Sequence, residues 1–323
     1  MDVFGKIIKS SVSALIGTMA FVVSVEAQWE YAKVYDLPKF TQPPVLDGNR
    51  STVADEWTGS VAVVCAPSVV EADGLEYGWR DENSKWSQIS ANQLVQSEGE
   101  DGATARTDAD YWAKIYHAWD DEAVYFFVET RDNVRDVTDG SGGSIYWWER
   151  DSISLHFDLL NLDINTPDNE TFGNNGYNMI NMVAAPQNSS SVTRTYEYIA
   201  QSKREFTQLP EDLEGMDYGF RDAGDEFGGE ADYTIEAKIS WSALIRAGNL
   251  PRAPSVGEEM GFSWIGLDPD NDEDYGGQIQ CEGWIPEAAT FSTWVFSDNP
   301  AGPSGATAVE QDSWARIKAT FVN

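Results

Sequence analysis

The sequence predicts an all-β protein: two antiparallel sheets packed face to face as a jelly-roll-like β-sandwich, with long acidic loops. Three observations predict it. Several stretches alternate apolar and polar residues with period two, the pattern of strands with one buried face. Gly, Asn, Asp and Pro cluster between those stretches, as turns require. The 323 residues carry a net charge of -33, yet 41% are hydrophobic and 12% aromatic, enough to build a core. Disordered acidic chains are poor in aromatics. The acidic balance also argues against a nucleic-acid partner, which needs a basic footprint, and against a polybasic membrane contact.

The chain opens with Lys6 and Lys9, then an apolar stretch from Val12 to Val25, and ends this segment in Val25-Glu26-Ala27. That order reads as a secretory signal peptide over residues 1–27. The apolar run is short for a spanning helix. The expectation is therefore a secreted protein, extracellular or periplasmic, with no membrane insertion after cleavage. Residues 28–33 read as a mobile tail and 34–323 as one domain.

Lys114 to Trp119, the turn Asp120-Asp121-Glu122 and Ala123 to Glu129 form a hairpin pattern. Ser152 to Asp158 puts Ile153, Leu155 and Phe157 on one face and Ser154 with His156 on the other. Tyr177 to Val183 is a further strand candidate. Asp232 to Trp241 puts Tyr233, Ile235, Ala237, Ile239 and Trp241 on one face. Ser240 to Ile245 reads as one short helical turn that stops before Pro251, and Gly261 to Leu267 and Trp314 to Val322 read as strands. Segments 71–110, 186–229 and 268–283 read as long loops. Cys65 and Cys281 are the only cysteines. Export permits a disulfide between them, and two buried thiols fit the sequence equally well.

Four motifs resemble the family 9 carbohydrate-binding modules, β-sandwiches often attached to secreted xylanases. They are Pro44-Val45-Leu46-Asp47-Gly48 with Asp55-Glu56-Trp57; Ala118 to Tyr125 ending at Arg131-Asp132; Trp148 to Asp158; and Tyr233 to Trp241 followed by Gly257 to Phe262 and an acidic loop. Their order and spacing carry the resemblance. It implies a non-catalytic carbohydrate-binding protein that holds one sugar unit of a plant- or algal-type polysaccharide or oligosaccharide between two tryptophans. Aromatic planes match the apolar faces of a sugar ring, and polar groups match its hydroxyls. The match places the first tryptophan at Trp148, with Trp147 as its backup. The second falls in the C-terminal segment, at Trp294 by spacing or at Trp284. Trp57, Trp119 and Trp241 fall at core positions. Ser154 stands where the family usually carries a glutamate on the sugar-facing side, and Ser240 stands before Trp241 where proline is usual. Ser154 bonds a hydroxyl more weakly than a carboxylate does. His156 shares its face.

The run Asp268, Asp270, Asp272, Asp274 supplies alternating hard oxygen ligands suited to calcium. Its sixth and twelfth positions, Glu273 and Ile279, exclude an EF-hand. The resemblance also implies structural calcium. The sequence carries no G-x-S-x-G, P-loop, H-E-x-x-H or Cys/His dyad signature, so it predicts no enzyme. Two other classes fit the fold: a haem-binding sandwich using Met179, Met182, Met260 or a histidine, and a structural surface or matrix protein.

Overall fold

The computed structural model describes residues 33–50, 55–72, 78–79, 93–96, 107–137, 150–161, 177–190, 192, 195–200, 215–246, 250–268, 278–282 and 291–303. The expected signal peptide, nearly all of the expected tail and the strand at 314–322 lie outside these residues. In chain order the elements are β1 (Val34–Phe40), β2 (Val61–Cys65), α1 (Pro67–Ala72), β3 (Gly78–Trp79), β4 (Gln93–Gln96), β5 (Tyr111–Trp119), β6 (Ala123–Asp132), β7 (Ser152–Asp158) and β8 (Tyr177–Val183). They continue with β9 (Tyr196–Ala200), β10 (Met216–Gly224), β11 (Asp232–Ser240), α2 (Trp241–Arg246), β12 (Glu259–Leu267), β13 (Gln278–Cys281) and β14 (Ser292–Ala301).

The strands form two layers. One runs β10-β11-β6-β5-β2, with every pair antiparallel. The other runs β9-β8-β7-β12, and β14 and β13 share the far edge of β12 in succession. β1 joins the layers. It lies parallel to β14, shifts register between Leu37 and Lys39, and meets β5 at Trp119. The shift brackets Pro38, which has no N–H to give to a ladder. The β1–β14, β1–β5 and β3–β4 pairs are parallel and depart from the antiparallel expectation.

Alternation fills the space between the layers. Ile153, Leu155 and Phe157 of β7 meet Val124, Phe126 and Val128 of β6 in one buried cluster. Phe126 lies 6.0 Å from Phe157 and 6.1 Å from Phe262, ring centre to ring centre. Each such side chain contributes about 1.5–3 kcal/mol by leaving water. Trp119 and Trp241 are buried in this core, as expected. The helical turn expected after Ser240 is α2, and the Ser240 hydroxyl accepts the Ala243 N–H at 3.2 Å as its cap.

The three segments expected to be loops contain strands. β3 and β4 fall in 71–110, β9 and β10 in 186–229, and β13 in 268–283. The reason is visible in β10, which among the described residues pairs only with β11. Met216 and Tyr218 turn inward, while Asp217 and Asp222 are exposed. A charged edge strand resists further pairing and shows little apolar alternation. β13 lies beside the disulfide question: Cys65 is disulfide-bonded, and Cys281 at the end of β13 is the only other cysteine of the chain.

A second, smaller cluster covers the outer side of β5 and β6. Trp57 packs there against Phe40 at 5.2 Å and Phe127 at 5.8 Å. The Trp57 indole N–H donates to Glu236 Oε1 at 2.8 Å. The other oxygen of Glu236 accepts the Asp47 and Gly48 backbone N–H groups at 3.1 and 3.2 Å. Thr234 Oγ1 donates to the Gly48 carbonyl at 2.6 Å. The first and fourth motifs are thus tied through one buried carboxylate. Burial pushes the Glu236 carboxyl up to about 7, against the pull of those donors. Glu236→Gln turns an amide NH₂ toward backbone N–H groups, leaving buried donors unmatched. Urea unfolding is expected to show a loss of about 1–3 kcal/mol; parental stability would contradict this role.

Candidate functional site

β7 is buried on both sides. Its inward residues belong to the core, so Ser154, His156 and Asp158 lie on the outer face of the second layer. The neighbouring strands add to that face in register. Ser154 lies between Asn181 of β8 and Ile265 of β12, and His156 between Met179 and Ser263. All six side chains are buried. Among the described residues, Ser154 Oγ and both amide atoms of Asn181 make no hydrogen bond. Most buried polar groups have a partner, and each one that lacks it costs about 1–3 kcal/mol. The two side chains therefore place one hydroxyl and one amide side by side on this face, unmatched among the described residues.

His156 shares the face with Ser154, as the alternation predicts, but it is buried rather than solvated. Burial lowers its pKa to about 3, so the ring is neutral near pH 7. A neutral imidazole carries one donor and one acceptor. Asn181 and Ser263 went unnoticed in the sequence. Their only signal is a polar residue alternating with Ile180 and Met182 in β8, or with Phe262 and Trp264 in β12.

Trp294 departs from the expectation that it faces a sugar. It points between the sheets, is fully buried, and stacks on Phe262 at 4.1 Å with 19° between the planes. β14 pairs with β12 through Trp294 and Met260, both inward. Trp294 therefore lies on the opposite side of its sheet from Ser154 and His156, and it is a core residue. Trp147, Trp148 and Trp284 lie outside the described residues. His117, the other histidine, also points inward. Phe126, Phe262 and Trp294 enclose its ring at 5.5, 4.8 and 5.1 Å. Any haem bound there would have to displace these rings.

A second polar group gathers at the end of the sandwich where β6 stops, β7 begins and β12 stops. Asp132, Asp151 and Asp268 are buried, with carboxylate oxygens all within 4.8 Å of one another. Asp268 is the only one of the four expected calcium ligands among the described residues; Asp270, Asp272 and Asp274 lie outside them. Asp132 and Asp151 stand instead in the second and third motifs. Asp132 Oδ1 accepts the Val134 N–H at 2.9 Å, and Asp151 Oδ2 accepts the Asp136 N–H, which folds the chain after β6 around the cluster. The Tyr111 hydroxyl approaches from β5. A side chain at Gly266 would put its Cβ 1.9 Å from that oxygen, so only glycine admits the ring. Burial first, and then Asp268, Asp132 and Asp151, hold this hydroxyl well above its ordinary pKa. Hard carboxylate oxygens converging from three elements fit a calcium ion. Three such charges away from water repel one another unless a cation offsets them.

The two histidines have a consequence for stability. Burial lowers the pKa of each to about 3. Unfolding exposes them to water, where they bind protons below about 6.5. The unfolded state then holds more protons than the native one, so stability falls as pH drops from about 6.5 toward 3, by up to about 1.4 kcal/mol per pH unit for each histidine. Neither nitrogen of His117 makes a hydrogen bond among the described residues. His117→Phe keeps the ring and removes one of these protonations. Urea unfolding at pH 7.5 and pH 5 is expected to show a smaller acid loss in the variant. An equal loss would contradict the neutral, buried state of His117.

A family model described as "Carbohydrate family 9 binding domain-like" matches residues 81–294. Among solved structures, a family 9 carbohydrate-binding module from Caldicellulosiruptor kristjanssonii in complex with cellotriose is similar over 82% of this chain and 94% of that one, at 13% identity and a TM-score of 0.47. The module from the same organism in complex with glucose is similar over 82% and 96%, at 13% identity and a TM-score of 0.43. No curated protein sequence matches the chain.

Proposed function

This chain belongs to the carbohydrate family 9 binding domain-like family, and from that premise we propose that it is a secreted, non-catalytic protein that binds a polysaccharide of plant or algal type through the outer face of β7, β8 and β12. The observation that carries the reading is the buried pair Ser154 and Asn181. Directly opposed in register, they hold a hydroxyl and an amide without hydrogen-bond partners among the described residues. Sugar hydroxyls donate and accept, so they match both atoms of the amide and the serine oxygen. The neutral His156 ring adds a further donor or acceptor beside them. These atoms are covered in this arrangement, and a sugar reaches them only when the face opens to solvent.

Trp148, with Trp147 beside it, lies three residues before Asp151 at the entry to β7. It supplies the aromatic plane for the apolar side of the ring. Trp284, shortly before Phe291 at the other edge of β12, is the candidate for the second plane, in place of the buried Trp294. Neither tryptophan needs a charged partner for this role. Ser154, in place of the family's glutamate, gives the site a neutral contact, so little of the binding depends on ionisation between pH 5 and 8.

Asp132, Asp151 and Asp268 would hold a calcium ion. Bound there, the ion supplies positive charge to the three carboxylates, and those residues tie the ends of β6, β7 and β12 together. Asp151, at the entry to β7, is one of the residues that would hold the ion.

Two measurements check the reading. In calorimetry with cellotriose, Ser154→Ala and Asn181→Ala are each expected to weaken binding by roughly fivefold to tenfold, the worth of one or two neutral hydrogen bonds. Trp148→Ala is expected to weaken it by at least about tenfold. Full affinity in all three variants would overturn the site. For the metal, a chelator is expected to lower the melting temperature and added calcium to restore it. A melting temperature indifferent to both would remove calcium from the account.

A further inference from the structure

The strands that end at Asp132 and Asp268 also bring hydroxyls to the same end of the sandwich. Tyr111 of β5 lies directly opposite Asp132 of β6 in register. Thr130 stands two residues before Asp132 on the same face of β6, and its partner in register on β11 is Tyr233. Tyr111, Thr130 and Tyr233 are fully buried, and none of their hydroxyls makes a hydrogen bond among the described residues. The Tyr233 hydroxyl comes near that of Tyr111 without the geometry of a bond. The interior of the sandwich, apolar along most of β5, β6 and β11, thus turns polar where the carboxylates gather.

Tyr111 reaches across from the first layer to the second. A Cβ at Gly266 would fall 1.9 Å from its hydroxyl oxygen and 2.3 Å from its Cζ. The phenol therefore passes over β12 at the residue that has no side chain. Asp268 follows two residues later, on the same face as Gly266. Backbone pairing alone places the hydroxyl beside two of the three carboxylates: Asp132 across the β5–β6 ladder, and Asp268 along β12. Of the three charges, that of Asp268 acts on the hydroxyl most strongly.

The carboxylates need orienting if they are to share one ion. The backbone N–H groups of Val134 and Asp136 do this for one oxygen each of Asp132 and Asp151. A carboxylate that ligates a metal keeps lone pairs for a second bond, and donors placed there tune how well the metal is held. A buried hydroxyl, in turn, needs an acceptor for its proton. The inference rests on the reading that Asp132, Asp151 and Asp268 hold an ion. We propose that Tyr111 is a positioning residue of that site: its hydroxyl donates to the carboxylate cluster, chiefly to Asp268, and sets how tightly the cluster holds calcium. Gly266 belongs to the same arrangement, because a side chain there would push the hydroxyl away.

The test is calorimetry of the intact, chelator-treated protein with calcium chloride. Tyr111→Phe keeps the ring over Gly266 and removes only the hydroxyl. It is expected to bind calcium roughly tenfold to a hundredfold more weakly than the parent, while melting in chelator at or above the parent's temperature. A hydroxyl with a structural role alone would lower the melting temperature in chelator and leave the calcium affinity unchanged. That result would overturn the proposal and leave the ion site standing. A parent that binds no calcium would overturn the ion site and the proposal with it. A second measurement does not require the variant to fold. In the parent labelled with carbon-13 at tyrosine Cζ, calcium is expected to shift at least one tyrosine resonance. Calcium that binds by calorimetry and leaves every tyrosine resonance in place would overturn the role of Tyr111.

Discussion

The register of β7 between β8 and β12 is the constraint on which the rest depends. Leu155 lies opposite Ile180 on one side and Trp264 on the other, and all three enter the core. A strand has period two, so a slip of one residue would turn Ser154 and His156 inward and Leu155 outward. The aromatic core forbids that. Fixing Ile153, Leu155 and Phe157 against Phe126 and Phe262 thereby fixes a row of polar residues on the far side of the same sheet. The hydrophobic effect that closes the sandwich also decides where the polar atoms stand.

The same logic governs the two ends of β7. At its start, the strand brings Asp151, the residue before β7, beside Asp132, the last of β6, and Asp268, the residue after β12. At its finish, the chain turns at Asn161, whose backbone N–H donates to the Asp158 carbonyl at 3.1 Å. Strand ends are where the ladder releases backbone and side chains to other partners, and function concentrates there. Among the described residues some interior polar groups are matched and others are not. Glu236 takes three donors, and the Trp119 indole N–H reaches the Leu37 and Ser297 carbonyls at 3.1 and 3.0 Å. Ser154 and Asn181 share their unmatched state with His117, Trp264 and Trp294 among the described residues, and differ from them in lying on the outer face of the second layer.

The strands with clean alternation, β7, β8 and β11, were legible in the sequence almost to the residue. β1, β2, β10 and β14 were not. β10 is a charged edge, β1 is broken by Pro38, and β14 ends in Ser-Asp-Asn-Pro. None of these carries the periodic signal of a half-buried strand. At the site, alternation placed Ser154 and His156 together, and the motifs already contained Asp132 and Asp151. What no local pattern could supply was the meeting of residues distant in sequence, Asn181 with Ser154 and Asp268 with Asp132. Trp294 shows the converse. Spacing from the last strand put it near a ligand, but only the pairing of β14 with β12 reveals which side of the sheet it takes. The charge of -33 argued against a nucleic-acid partner and turned attention to the tryptophans and neutral polar groups.

The central claim is that Ser154 and Asn181 are held unmatched for a sugar. It is tested most directly by a crystal structure of the protein with a bound oligosaccharide. The account predicts a sugar ring on the outer face of β7, with hydroxyls within hydrogen-bond distance of Ser154 Oγ and the Asn181 amide. It is contradicted if the ring binds elsewhere while Ser154 and Asn181 are bonded to other parts of the chain.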